Sequence, residues 1–175
     1  MDRFAFYSKS ADKAPGKGVN EILSGDPGKY KELSKIKDWR KVLSNFHVYP
    51  FRYDGYTWNS IEHVFQAKKI EIVSAKMAFK FTRESGSELG LGDGAMARKN
   101  RKLVMLSGNQ LRQWDEMKDR IMREAAIEKY KACEEALNVL KLTGEAELYH
   151  LERVRGKASN LVHFKHLEDI RSSYF

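Results

Sequence analysis

The chain has 175 residues, 42% apolar and 32% charged, a mix that supports a sizeable core and excludes a disordered polymer. Its net charge of +8, from 32 Lys and Arg against 24 Asp and Glu, biases it toward anionic ligands such as nucleic acid, nucleotides or anionic membranes. No apolar run approaches the roughly 20 residues of a bilayer span. The start, MDRFAFYSKS, lacks the apolar stretch of a secretory signal, and the single Cys133 excludes an internal disulfide and a Cys-rich zinc site, so no membrane role and an intracellular setting, cytoplasmic or nuclear, are expected.

Residues 9–29 hold two of the three prolines and four glycines and read as a loop. Tyr53-Asp54-Gly55-Tyr56 follows, with Phe51 on one side and Trp58 on the other; Asp-Gly so placed is a strong hairpin signal. Ser60 offers an N-cap to a helix running to about Ile72. Ser74 to about Thr82 reads as a second short helix, ended near Gly86. The Gly-rich residues 84–95 read as a loop. Leu111, Trp114, Ile121 and Ala125 recur at helical spacing and predict the longest helix over 110–131. Another covers about 133–141, with Gly144 as a C-cap. Glu147–Leu151 reads as a strand, and Leu161–Ile170 as helix or strand. The expected class is α+β, a mainly helical single domain over 1–175 with a small antiparallel β element. Acids are interspersed almost everywhere, so charge alone names no ligand and an ordinary solvated surface is the plainer reading.

On a helix over 61–72, Glu62, Gln66 and Lys69 share a stripe at relative angles of roughly 0°, 40° and −20°. Ile61, Phe65 and Ile72 lie on the adjoining flank. Glu62 and Lys69 are separated by roughly 10 Å along the axis, too far for an i,i+4 ion pair. The spacing suits two long side chains converging on one ribose-sized object; a solvated face is the alternative. His63 beside them is a ligand contact, a general acid or a packed core histidine. With no second His or Cys at ligand spacing, no metal is expected. Trp114 falls on the apolar spacing of its helix, so stacking platform and core residue stay open. Lys9, Lys13 and Lys17, with Gly16 and Gly18, suit a diphosphate through lysines and exposed backbone N–H groups.

The order Leu43-Ser44-Asn45-Phe46, Tyr49-Pro50-Phe51, Asp54-Gly55, then the segment SIEHVFQAKK over 60–69 resembles the NADAR (YbiA-like) family. Phe6 to Ser10, Ala97-Arg98, Trp114-Asp115 with Lys118 and Met122, and Leu142-Thr143-Gly144 extend the likeness over most of residues 4–144. The C-terminal stretch from Glu147 to Gly156 departs from the family pattern; Glu152 is the one candidate there for a late acidic site residue. The resemblance implies an N-glycosidic hydrolase with Glu62 and Lys69 as its catalytic pair and no cofactor. It implies an ADP-ribose-containing ligand, held by Tyr7, Ser8, Lys9, Asn45, Phe46, Trp58, His63, Gln66, Arg98, Trp114 and Asp115. Two substrate classes follow from it: ADP-ribosylated guanine in DNA or RNA, and phosphoribosylated intermediates of early riboflavin biosynthesis. A non-catalytic reader of ADP-ribose or nucleic acid is the reading of another class.

Overall fold

The computed structural model describes residues 1–152 and 160–175, so Arg153 to Gly156 of the divergent stretch lie outside the described residues. The chain divides into two compact units: Met1–Ser44 with Glu134–Phe175, and Asn45–Cys133.

The first unit is built from both ends of the chain. Strand β1 (Arg3–Phe6) pairs in parallel with β4 (Glu147–Glu152), which pairs antiparallel with β5 (Asn160–His163). Phe4 and Phe6 on β1 are fully buried. Phe4 meets Tyr30 and Trp39 edge-on at 4.9 and 5.1 Å, and Phe6 meets Phe164 at 5.7 Å. Two one-turn helices, α1 (Lys31–Ser34) and α2 (Trp39–Val42), pack on α7 (Glu134–Leu142). Helix α8 (Lys165–Tyr174) closes the unit; its Arg171 donates to Thr143 Oγ1 at 2.8 Å and to the Ala146 carbonyl at 2.9 Å.

The second unit opens with the hairpin β2 (Phe51–Tyr53) and β3 (Tyr56–Trp58). Asp54 and Gly55 both have positive φ, 50° and 83°, as a two-residue primed turn requires. Helix α3 (Ile61–Glu71) follows, then α4 (Ala75–Phe79), α5 (Gly94–Lys99) and α6 (Gly108–Ala132). Helix α3 packs against each of the other three. A capping box starts α6: Gln110 N–H donates to Ser107 Oγ at 3.3 Å, and Ser107 N–H to Gln110 Oε1 at 2.8 Å.

The α+β class, the hairpin and the helices over 61–71, 108–132 and 134–142 agree with the sequence reading. Three differences have physical reasons. Residues 161–170 are not one element: the strand ends at His163 and α8 starts at Lys165. The loop over 84–95 ends early, because Asp93 caps a helix by accepting from Met96 N–H at 2.9 Å. Helices α1 and α2 are single turns, too short to show a 3.6-residue period. Among the described residues no helix is long and apolar enough to cross a membrane.

Candidate active site

The site is organised by the first turn of α3. Ser60 is its N-cap, its Oγ accepting from His63 N–H at 3.2 Å. That cap leaves the N–H of Glu62 to another partner, the Asn45 carbonyl at 3.0 Å. The Asn45–Phe46 segment is thereby fixed against the helix start. One turn on, Gln66 Nε2 donates to Glu62 Oε1 at 2.8 Å. Glu62 is 5% exposed and Gln66 3%. The stripe is therefore no solvated face over its first two turns.

A carboxyl so placed loses most of its hydration. Burial pushes the Glu62 pKa above the usual carboxylate range; the Gln66 hydrogen bond and the positive charges of Arg98, Arg101 and Lys69 pull part of it back. The raised direction favours the protonated acid, and the three cations favour an anion nearby. Lys69 is half-buried at the last turn of the same helix, and among the described residues it meets no acid within ion-pair distance. Its neighbour Lys68 is instead taken by Asp54, and by Glu71 at 3.7 Å.

Among the described residues, two buried acceptors here have no hydrogen-bond partner, Gln66 Oε1 and Asn45 Oδ1. Leaving such an atom buried and unpaired costs about 1–3 kcal/mol, a cost that a ligand donor removes. His47 adds a buried, unpartnered Nδ1, and its pKa is pushed down to about 4 by burial and the charge of Lys129. His47 and Arg101 escaped the sequence reading. Arg101 had a signal, since it lies three residues after Arg98 and so on its side of the turn.

Several expected ligand residues are placed otherwise. His63 is fully buried, with Nε2 donating to the Leu89 carbonyl at 3.0 Å and Nδ1 on Ser60 Oγ at 2.7 Å. Burial pushes its pKa down while the Leu89 bond opposes this, so the imidazole is a neutral tie between α3 and the following loop, not a ligand contact. Trp114 is 4% exposed and meets Phe65 edge-on at 4.9 Å, so it is a core residue between α3 and α6 with no open face for stacking. Trp58 is likewise buried, its Nε1 donating to the Tyr53 carbonyl at 2.8 Å. Asp115 pairs with Lys118 at 3.2 Å on the exposed side of α6. The capping box starts that helix two turns before Asp115, outside the reach of the N-terminal dipole.

Phe46 is half-buried against α5: a Cβ added to Gly94 would fall 2.4 Å from Phe46 Cα. Arg98 is exposed at the end of α5. Tyr7, Ser8 and Lys9 belong to the first unit, where Tyr7 and Lys9 line a cavity of about 110 Å³ with Ser10 and Lys13. Glu152 is exposed at the end of β4. The expected amide cradle over 16–18 is already filled, because Gly16 and Gly18 N–H donate to Glu21 Oε1 at 3.0 and 3.1 Å.

Residues 11–154 match the NADAR domain family, and the chain belongs to it. The match runs through Glu62, Lys69 and their neighbours. Among its relatives, the N-glycosidase YbiA of Escherichia coli (strain K12) and that of Shigella boydii serotype 4 (strain Sb227) are each 30% identical over 110 residues, 61% of this chain. The chain spans 59% of the length of these curated relatives. An NMR structure of the E. coli protein YbiA superposes with a TM-score of 0.53 at 18% identity, covering 99% of this chain and 86% of that one, a likeness of fold.

Proposed function

We propose that the protein is an N-glycosidic hydrolase that removes ADP-ribose from modified guanine bases in DNA or RNA. The observation that carries this reading is the buried Glu62 carboxyl, biased toward its protonated form beside Arg98, Arg101 and Lys69. Cleaving a ribose C1–N bond requires a proton for the departing nitrogen and stabilisation of positive charge at C1. Glu62 supplies the proton. As the bond to the base breaks, the Glu62 carboxylate left behind takes a proton from the Lys69 ammonium, and the freed amine attacks C1. Ring opening then moves a proton to the ring oxygen and leaves a Schiff base. Water hydrolyses the imine, freeing ADP-ribose and restoring the amine. Asn45 Oδ1 and Gln66 Oε1 accept from the ribose hydroxyls, and Arg98 faces the ligand phosphates. Naming of the bacterial relatives as N-glycosidases supports the reaction class.

The test is turnover of an oligonucleotide carrying ADP-ribosyl-guanine in the presence of borohydride, with a phosphoribosylated pyrimidine precursor offered in parallel. Expected are release of ADP-ribose from the first substrate and a reduced sugar adduct on Lys69. Lys69→Arg lowers the rate by about 10²-fold or more. Full activity in Lys69→Arg without an adduct overturns the Schiff-base step. Cleavage of the pyrimidine precursor alone overturns the substrate, and binding without cleavage of either makes the protein a reader.

A further inference from the structure

One stretch breaks the mixed charge pattern of the chain. From Gly94 to Trp114 there is no acidic residue, while Arg98, Lys99, Arg101, Lys102 and Arg112 supply five cations. Many exposed cations elsewhere carry an acid three or four residues away: Lys35 with Glu32 at 2.8 Å, Lys118 with Asp115 at 3.2 Å, Arg120 with Glu124 at 3.1 Å, and Lys165 with Asp169 at 3.1 Å. Arg98, Lys99, Arg101 and Lys102 are all exposed, and among the described residues none meets an acid within ion-pair distance. They occupy the end of α5 and the 3-10 turn Asn100–Lys102, with Arg101 Nη1 donating to the Arg98 carbonyl at 3.0 Å. Like charges concentrated this way repel one another, and an external polyanion relieves that repulsion.

Position gives the patch its meaning. Helix α5 and the 3-10 turn Asn100–Lys102 both pack against α3, which carries Glu62, and Arg98 and Arg101 act electrostatically on that carboxyl, so two of the four cations adjoin the candidate site. Lys99 and Lys102 extend the positive charge along the surface. The four side chains fan out from about 6–8 Å of backbone, enough to meet about three phosphates of a strand. Beyond them Leu103 is 39% exposed and Met105 91% exposed, apolar surface suited to an unstacked base.

We infer that residues 98–105 form a track for the sugar–phosphate backbone of single-stranded nucleic acid flanking the modified base, an inference that rests on the substrate reading above for the base itself. Single-stranded form follows from the burial of Glu62: a bond that must reach a carboxyl 5% exposed has to leave the base stack, which costs least in an unpaired strand.

Binding of a short unmodified DNA strand, followed by fluorescence anisotropy across a salt series, tests this. Three phosphate contacts on a single strand give a log–log salt slope of about −2, and so about a twentyfold loss of affinity between 50 and 200 mM salt. The variant Lys99→Gln/Arg101→Gln/Lys102→Gln is expected to flatten the slope to about −0.7 or less and to weaken binding about tenfold or more at 50 mM salt. A variant with the same charge loss elsewhere, Lys31→Gln/Lys76→Gln/Lys80→Gln, keeps the wild-type slope; circular dichroism reports whether each variant is folded. Equal slopes in all three proteins overturn the track, as does preference for anionic phosphatidylserine vesicles over the strand. Cleavage of monomeric ADP-ribosyl-guanosine without strand binding overturns the track alone. A strand that binds at the track while its modified base is never cleaved overturns the substrate reading.

Discussion

An ionisable group with two faces of need sits at Glu62: its chemistry wants a proton, and its burial supplies one at the expense of stability. The carboxyl pKa is raised in the folded chain, chiefly by burial. The folded state thus holds the proton over a pH range in which the unfolded chain has lost it. Stability contributed by this group is full below the ordinary carboxylate value and is lost as pH rises through the raised one. Glu62→Gln removes the titration while keeping an acceptor for Gln66 Nε2. The expected result is a kcat lower by about 10²–10⁴-fold, together with a fold more stable by on the order of 1 kcal/mol at pH 7 and unchanged near pH 4. Urea denaturation at the two pH values checks the second half. A variant destabilised at pH 7 but not near pH 4 would mean that the Glu62 carboxylate is worth more as an ion than its desolvation costs.

Helix α5 shows why an element invisible in the sequence matters to the site. Its six residues carry Gly94 at the start and no apolar period, so the surrounding glycines made the stretch look like loop. Close approach to Phe46 requires that glycine, since a Cβ at Gly94 would lie 2.4 to 2.8 Å from Phe46 Cα, Cβ and Cγ. Gly94→Ala is therefore expected to destabilise the protein by about 1–3 kcal/mol, as overpacking does, although alanine favours helix at an unhindered position. Because α5 carries Arg98 and leads into Arg101, the displacement also raises KM more than it lowers kcat. Thermal denaturation and steady-state kinetics read the two effects, and a stabilised variant would refute the packing argument. Strong local chemistry made other elements legible: the Asp54-Gly55 turn, the Ser60 cap, the apolar period of α6. At the site, Glu62, Gln66 and Lys69 were legible as a stripe. Their burial was not, because it comes from chain remote in sequence, as does the sealing of His63 by the Leu89 carbonyl. Trp114 illustrates the reverse: the family pattern and the helical period both contained it, and only packing against Phe65 decides between them.

At the scale of the molecule, the ends of the chain meet in one sheet, and β1 alongside β4 is a parallel pairing between segments some 140 residues apart that no local pattern announces. A buried ion pair ties the long loop after β1 to α2. Arg40 reaches Glu21 with Nη2 at 2.6 Å and Nε at 2.8 Å, with Arg40 3% and Glu21 0% exposed at the side chain. The remaining guanidinium N–H groups are spent on the carbonyls of Lys13 at 2.6 Å, Ala14 at 3.0 Å and Ala11 at 3.5 Å. Glu21 in turn accepts from the N–H groups of Ala5, Gly16 and Gly18. One pair thus converts what reads as a glycine-rich anion cradle into an internal tie from α2 through the loop to β1. Removing one partner leaves the other charge buried and uncompensated, which typically costs about 3–5 kcal/mol. Glu21→Gln is expected to fall in that range, because the guanidinium loses its counter-charge while the amide oxygen still accepts. Arg40→Met/Glu21→Leu, which removes both charges, is expected to recover part of the loss, but not all of it, since the glycine N–H groups then lose their acceptor. Chemical denaturation of the two variants distinguishes this from a pair that is merely packed: a double variant less stable than Glu21→Gln would show that the hydrogen bonds to the loop backbone, rather than the paired charges, hold the first unit together.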